Sequence, residues 1–172
     1  MLHIRPLASE NRSWFITTLQ HAFRQAVQDS LQAGEEIISR EEIESSMRGE
    51  NAESLLIEAD GKPVGGAVVK TDPLTQRNEL ELFFISAAEH GKGIGQQAWK
   101  LIEQRYPQTK VWETHTPYFE KRNIYFYLKC GFKIVEFYRD RHPNKETEPP
   151  AHDALSDEMF RFEKEMENGR AD

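Results

Sequence analysis

The sequence predicts an α/β fold, of the α+β kind, whose central sheet is mixed and mostly antiparallel. Strand patterns follow one another across residues 54–85, and Asp60-Gly61 between the first two is a hairpin turn signal. The last of these strands is followed by a glycine-rich turn at 91–95, a helical pattern and a further strand at 110–116. Such a crossover is right-handed and joins parallel strands. We therefore expect an antiparallel meander that continues into one parallel strand pair.

Capping signals predict the limits of two helices that flank this sheet. Ser39 and Glu42 have the spacing of a capping box and predict a helix that begins at Arg40. Thr116-Pro117 predicts the start of a later helix, with proline at its first position. Gly131 predicts the end of that helix, because glycine readily adopts the left-handed conformation that follows a last helical turn.

The two ends of the chain complete the predicted fold. Residues 2–7 are a candidate strand, and an apolar stripe between residues 14 and 31 has the period of a helix. Residues 132–138 and 158–165 are predicted to be strands that pair with each other. The polar stretch 139–157 between them contains three prolines and is expected to be an exposed loop.

Length, cysteine content and charge limit the classes of function. A chain of 172 residues predicts one domain that covers residues 1–172. One cysteine excludes an internal disulfide framework and fits a reducing compartment. Since we see no signal core and no stretch long enough to span a bilayer, we expect a cytoplasmic protein that does not bind membranes. The net charge of −7 argues against nucleic acid and mildly favours a cationic substrate.

The glycine-rich turn is the strongest local signal for a ligand. Gly91, Gly93 and Gly95 follow a strand and open a helix whose apolar residues begin at Ile94. A helix that starts from glycines exposes its first N–H groups, and the helix dipole adds partial positive charge there. Phosphate suits such a helix end. By themselves, the glycines leave a simple tight turn equally open.

Two motifs resemble those of one enzyme superfamily. His90-Gly91-Lys92-Gly93-Ile94-Gly95 resembles the acetyl-CoA pyrophosphate signature of the GNAT N-acetyltransferases. Residues 123–132, which read Asn-Ile-Tyr-Phe-Tyr-Leu-Lys-Cys-Gly-Phe, resemble the second motif of that superfamily. Either motif alone is weak, but their order and spacing agree with the family over about residues 54–138. The resemblance implies the acyl-CoA N-acyltransferase fold, with a parallel strand pair that splays apart and helices on both faces of the sheet.

The resemblance also implies direct transfer of an acetyl group from acetyl-CoA, a co-substrate, to an amine of a small molecule or peptide. It implies that the following residues bind the cofactor: Phe84, Ile85, His90, Gly91, Lys92, Gly93, Ile94, Gly95, Asn123 and Lys129. The turn would offer backbone N–H groups to the pyrophosphate, and the strand would offer its backbone to the pantetheine arm. Three residues depart from the family pattern: His90 replaces Arg or Gln, Ala87 replaces a frequent proline, and Glu120 replaces a common asparagine.

Catalytic roles follow from the same resemblance. Tyr127 matches the tyrosine that meets the CoA sulfur and would protonate the thiolate, with core packing as the alternative. Glu79 matches the spacing of the family's general base, and Glu81 faces the same way because strand side chains repeat every two residues. For both carboxylates the alternative interpretation is an exposed position at the end of the sheet without a catalytic role. Glu113 and His115 share a face on the next strand and are reserve bases.

Other interpretations stay open beside this one. A non-catalytic CoA-binding sensor would have the same fold. A dinucleotide oxidoreductase would explain Gly91, Gly93 and Glu113, but its third glycine should fall at Gln96. The histidines lack metal-ligand spacing, so we expect no metal. The acceptor amine and the oligomeric state are open, with a homodimer among the states allowed, and the loop at 139–157 is expected beside the acceptor cleft.

Overall fold

A computed structural model of the chain describes residues 1–26, 37–139 and 158–167. The strands are β1 Leu2–Pro6, β2 Ala52–Ala59, β3 Lys62–Lys70, β4 Arg77–Ile85, β5 Val111–Pro117, β6 Lys133–Arg139 and β7 Glu158–Glu165. The helices are α1 Arg12–Ala26, α2 Arg40–Met47, α3 Ile94–Arg105 and α4 Lys121–Lys129, with short 3-10 turns at Ser9–Asn11 and Ala87–Glu89. The predicted continuation of the first helix to residue 31 and residues 140–157 of the predicted loop lie outside the described residues.

The described strands form one seven-stranded sheet in the order β1-β2-β3-β4-β5-β7-β6. β4 and β5 are parallel, and the other neighbouring pairs are antiparallel. The predicted fold class is therefore confirmed, as is the pairing of the last two strands. β7 inserts between β5 and β6, however, a placement that the local sequence pattern does not indicate.

Helices cover both faces of this sheet, as the resemblance implied. Val68 and Val69 are successive residues of β3 that pack in different hydrophobic clusters. Because successive side chains of a strand point to opposite faces, the two clusters lie on opposite faces. The cluster of Val68 contains residues of α1 and α2. The cluster of Val69 contains Trp99 of α3 and Tyr127 of α4.

A β-bulge interrupts the alternation of β4. Two neighbouring residues of β3 pair with Leu80 and Leu82, so Glu81 is an additional residue without a partner of its own in the ladder. The two-residue period from which the sequence analysis argued for Glu79 and Glu81 is broken at this point. Both carboxylates nevertheless line the same pocket.

The predicted capping box of the second helix is confirmed. The Ser39 hydroxyl accepts a hydrogen bond from the Glu42 backbone N–H at 3.1 Å. The Glu42 carboxylate in turn accepts one from the Ser39 backbone N–H at 2.7 Å. α2 begins at Arg40, and the box fixes this end of a helix that later forms part of a pocket wall.

The predicted start of the last helix is wrong. β5 continues through Pro117, which pairs with Met159 on β7, and α4 begins only at Lys121. Pairing with a strand distant in sequence thus overrides the local Thr-Pro signal, and a proline at a strand end leaves the ladder intact. As a consequence Glu120 occupies the cap position of α4, where it is only 4% exposed.

Candidate active site

β4 and β5 pair only at their beginnings and then separate. The parallel ladder joins residues 77–79 to residues 111–113, although both strands continue well beyond it. The Thr114 hydroxyl then donates a hydrogen bond to the Leu80 carbonyl at 2.8 Å. Past this bond β4 stays paired with β3, and β5 stays paired with β7. The opening leaves backbone groups of β4 free on the side that faces β5.

The turn before α3 presents backbone N–H groups at the end of this opening. Gly91 and Gly93 have φ angles of 79° and 72°, a region that disfavours residues with a β-carbon. Gly93 caps α3 and has no side chain that could bond the first N–H groups of the helix. These free N–H groups and the helix dipole suit an anion. At Gly95 a β-carbon would lie 2.9 Å from the Phe126 ring, so this glycine permits close contact with α4.

A cavity of about 190 Å³ lies between this turn, the end of β4 and α4, and we call it the turn cleft. Most of the predicted cofactor-binding residues line it: Phe84, Ile85, His90, Gly91, Gly93, Ile94, Gly95 and Asn123. Arg122 also lines the cleft and was not predicted. Its cationic side chain and the start of α3 both favour a negatively charged ligand.

Two predicted cofactor-binding side chains lie outside the turn cleft. The Lys92 ammonium pairs with the Glu89 carboxylate at 2.9 Å. Lys129 is exposed, and its ammonium lies 5.3 Å from the centre of the Tyr125 ring. The backbone of Lys92 still forms part of the turn. For Lys129, only its membership of the second motif supported a role in binding the cofactor.

The His90 side chain connects the turn to the end of β4. Its Nε2 lies 2.7 Å from the Ile85 carbonyl oxygen. A carbonyl only accepts hydrogen bonds, so Nε2 carries the proton that is donated. Burial lowers the pKa of His90, which favours the neutral ring. The sequence predicts a mainly backbone contribution at this position, and the structure adds a side-chain hydrogen bond.

A second cavity of about 610 Å³ adjoins the turn cleft, and we call it the acidic pocket. It is lined by side chains of β4, β5 and the first turn of α4, with α2 as a further wall. Its carboxylates are Glu42, Glu79, Glu81 and Glu120. Among the described residues no lysine or arginine lines it, so the pocket favours a positively charged occupant.

The two cavities meet at Phe83 and Asn123, which line both. The Phe83 ring stacks on Phe126 with ring centres 5.3 Å apart and an angle of 12° between the planes. A ligand that entered along the turn cleft would therefore reach the acidic pocket beside α4. This arrangement can bring two different ligands into contact at one point.

Tyr127 lies on the acidic-pocket side of this junction. Its side chain is buried and lies within hydrogen-bonding reach of the Thr114 side chain. Burial raises its pKa well above the usual value, and the nearby Glu120 carboxylate raises it further. The hydroxyl is therefore protonated at neutral pH. Burial likewise raises the pKa of the Cys130 thiol to about 11, which disfavours a nucleophilic role for that residue.

Glu79 and Glu81 line the acidic pocket in different electrostatic states. Burial raises the pKa of Glu79, and His115 Nε2 lies 3.9 Å from its carboxylate. Glu81 is paired, because the Lys70 ammonium lies 2.9 Å from its carboxylate and the Ser46 hydroxyl donates to it at 3.0 Å. Glu79 is thus better suited to accept a proton, and Glu81 is already neutralised by a cation.

The two reserve bases form a hydrogen-bonded pair. His115 Nε2 lies 2.9 Å from the Glu113 carboxylate, and His115 Nδ1 lies 2.7 Å from the Tyr138 hydroxyl. His115 lines the acidic pocket, whereas Glu113 does not. Both nitrogens of the His115 ring already have partners, which limits its availability as a base.

Glu120 is the site residue whose importance the sequence analysis missed. The Asn123 side-chain amide donates a hydrogen bond to its carboxylate. Burial raises the pKa of Glu120 to about 7. The departure from the usual asparagine was visible in the sequence, but the burial depends on where α4 begins.

The splayed strand pair, the glycine turn at a helix start and the adjoining acidic pocket define an acyl-CoA N-acyltransferase fold. The model of the acetyltransferase (GNAT) family matches residues 17–132, and the chain belongs to this family. The matched segment includes the glycine turn, Glu120 and Tyr127.

The chain is also similar to a curated bacterial protein and to solved structures that share its fold. The uncharacterized protein YrkN of Bacillus subtilis (strain 168) is 45% identical over 162 residues, which span 88% of this chain and 86% of YrkN. The structure of the IAA acetyltransferase from Bacillus cereus ATCC 14579 has a TM-score of 0.68 at 16% identity and covers 96% of this chain and 100% of its own. A GNAT family acetyltransferase from Elizabethkingia anophelis with acetyl-CoA bound has a TM-score of 0.67 at 17% identity, covering 96% and 98%.

The described residues contain neither a candidate membrane-spanning helix nor a candidate metal-binding group. No helix there is long and apolar enough to cross a membrane. No group of three His, Cys, Asp or Glu side chains in the same residues is arranged to hold a metal ion. The expectation that the protein needs no metal stays a prediction.

Replacing Gly93 by Asp should weaken CoA binding at least about tenfold relative to replacement by Asn, because only Asp places a negative charge beside the pyrophosphate. Both residues tolerate the left-handed backbone and cap helices, so the two variants should fold alike. Calorimetric titration with CoA measures the difference, and melting temperatures control for folding. Equal affinities in the Asp and Asn variants would place the phosphates elsewhere.

Glu120→Gln should change how stability depends on pH. The folded protein keeps the Glu120 proton up to a pKa of about 7, whereas the unfolded chain loses it near 4.5, so stability falls as pH rises between these values. The loss in the free energy of unfolding is on the order of 3 kcal/mol. The variant lacks this loss. Its melting temperature minus that of wild type should therefore be larger at pH 8 than at pH 5. Scanning calorimetry at both pH values, with the exposed Glu50→Gln as a charge control, tests this; a pH-independent difference contradicts it.

Proposed function

We propose that this chain is an N-acetyltransferase that moves the acetyl group of acetyl-CoA directly to an amine of a small molecule or peptide. It would act as a single domain of residues 1–172 in the cytoplasm. The observation that carries the proposal is the junction at Phe83 and Asn123, where a cleft suited to phosphate meets a pocket suited to a cation. Membership of the acetyltransferase family supports it.

Acetyl-CoA would lie in the turn cleft with its pyrophosphate at the start of α3. Backbone N–H groups of the turn and the Arg122 side chain are the groups that favour its charge. The pantetheine arm would run along the open end of β4, where Phe84 and Ile85 line the turn cleft and β5 no longer pairs with the strand. This path would bring the thioester to the junction with the acidic pocket.

In the transfer step the amine nitrogen attacks the thioester carbonyl, so that a C–N bond forms and the C–S bond breaks. The leaving thiolate needs a proton, and the amine must lose one. Tyr127 is proposed to protonate the sulfur, since its hydroxyl is protonated, buried and placed at the junction. Its raised pKa also means that the proton is readily recovered after the step.

Glu79 is proposed to take the proton of the amine, directly or through water. Its pKa is raised by burial, which brings a carboxylate closer to the range that general bases need. Glu81 is proposed to attract the cationic substrate instead, because its carboxylate lines the same pocket but is already bonded to Lys70 and Ser46, which leaves it less free to take a proton.

Two alternatives differ from this proposal in measurable ways. A CoA-binding sensor would bind acetyl-CoA without turnover. A dinucleotide oxidoreductase would need a doubly wound parallel sheet, whereas the described sheet has one parallel pair.

We expect acetyl-CoA-dependent thiol release with at least one member of a panel of free amino acids, polyamines, aminoglycosides and peptide N-termini. CoA binding without release across the panel would favour the sensor.

Tyr127→Phe should lower kcat by roughly ten to a thousandfold and leave CoA affinity nearly unchanged, because it removes the proton and keeps the ring. Steady-state thiol release and CoA calorimetry give the two quantities. Tyr125→Phe, on the exposed face of the same helix, is the matched control and should retain activity. A Tyr127→Phe enzyme with wild-type kcat and pH profile would make the tyrosine a packing residue.

Glu79→Gln and Glu81→Gln should affect different kinetic parameters. Loss of a base lowers kcat and alters the acidic limb of its pH profile, whereas loss of an attracting charge mainly raises the acceptor KM. We expect the first pattern for Glu79 and the second for Glu81. Full kinetic profiles of both variants from pH 5 to 9 provide the measurement. Unchanged kcat and an unchanged acidic limb in Glu79→Gln would refute the base assignment.

A further inference from the structure

The carboxylates of the acidic pocket are not equivalent. Glu42 contributes to the cap of α2, and Glu81 is paired with Lys70. Glu79 has His115 within 3.9 Å. Glu120 differs from all three, because no cationic side chain of the described residues lies within 4.0 Å of it and its one side-chain partner is the Asn123 amide.

Glu120 is also buried at the point where the two cavities meet. Its side chain belongs to a residue that is only 4% exposed, yet it lines the acidic pocket. Asn123, which bonds it, lines both cavities. Tyr127, the proposed acid, lines the same pocket, and the negative charge of Glu120 raises the pKa of its hydroxyl.

A buried carboxylate without a cation is unfavourable for the free protein. Removing the charge from water costs several kcal/mol unless an opposite charge or enough hydrogen bonds replace the lost hydration. A single amide donor satisfies only part of the capacity of a carboxylate. The binding of a cation from the acidic pocket would supply the missing charge.

We propose that ionised Glu120 binds the positively charged amine of the acceptor where the acidic pocket meets the turn cleft, and so makes this site selective for cationic acceptors. The proposal rests on the proposed function, which makes the acidic pocket the acceptor site. Glu120 thereby determines acceptor affinity and position, and the proton transfer stays with Glu79.

The burial of Glu120 makes a pH dependence part of this role. The free carboxyl group is half ionised at about pH 7, and a bound cation stabilises its ionised form. The other titratable side chains that line the pocket are Glu42, Glu79, Glu81, His115, Tyr127 and Tyr138. Acceptor affinity should therefore rise from pH 6 to pH 8 while Glu120 loses its proton.

The test uses the protein loaded with CoA, which carries no acetyl group, so that an amine binds without reacting. n-Butylammonium is the cationic probe, and n-butanol is a neutral probe of the same chain length. Calorimetry at pH 8 should show n-butylammonium binding at least about tenfold more weakly to Glu120→Gln than to wild type. n-Butanol should bind both proteins alike, and Glu50→Gln, which removes an exposed charge outside the pocket, should behave as wild type.

Gln keeps an oxygen that can accept the Asn123 hydrogen bond, and equal melting curves at pH 5 would show an intact fold. The affinity of n-butylammonium should rise with pH in wild type and stay flat in Glu120→Gln. Equal affinity and equal pH dependence in the two proteins would overturn the proposal.

Kinetics then separate this proposal from the proposed function. With an amine that the enzyme acetylates, Glu120→Gln should raise KM. It should also remove the limb near pH 7 from the pH profile of kcat/KM, whereas the pH profile of kcat should keep its limb. Turnover with an unchanged KM and kcat/KM profile would refute the role of Glu120 and leave the transferase intact. Glu120-dependent cation binding without turnover of any amine would refute the transferase and leave the cation site.

Discussion

The candidate active site depends on how the backbone hydrogen bonds of two strands are shared. On their outer edges, β4 pairs with β3 from Glu79 to Ile85, and β5 pairs with β7 along its whole length. They pair with one another only at residues 77–79 and 111–113, and a side-chain hydroxyl ends the contact. A fully paired central strand would leave no backbone group for a ligand. Both cavities lie along the opening that results.

Charge is divided between the two cavities in opposite senses. The turn cleft has Arg122, the start of α3 and one glutamate, Glu89, which is paired with Lys92, whereas the acidic pocket has four glutamates and no lysine or arginine among the described residues. The stacked rings of Phe83 and Phe126 stand at the boundary. The net charge of −7 is a property of the whole chain and reveals nothing of this separation. The charge that a ligand would meet depends on the local distribution, because screening limits the reach of distant surface charges.

The parts of the fold that local sequence determines could be predicted. The Asp60-Gly61 hairpin, the capping box at Ser39 and the glycine turn that opens α3 depend on neighbouring residues, and the structure contains all three. The position of β7 could not be predicted in this way, since it depends on pairing between distant segments. That same pairing keeps Pro117 in a strand and thereby sets the start of α4. The bulge at Glu81 and the burial of Glu120 are likewise products of tertiary packing.

The contact between Gly95 and Phe126 has a consequence for how this enzyme can change. A β-carbon at position 95 would lie 2.9 Å from the ring, so a larger residue there must displace the Phe126 ring or α4 itself. Tyr127 is the next residue on that helix, and a shift of α4 would move it as well. The glycine turn and the placement of the proposed acid therefore constrain each other. Evolution or engineering of a new acceptor preference has freer scope in the acidic pocket wall than at this glycine.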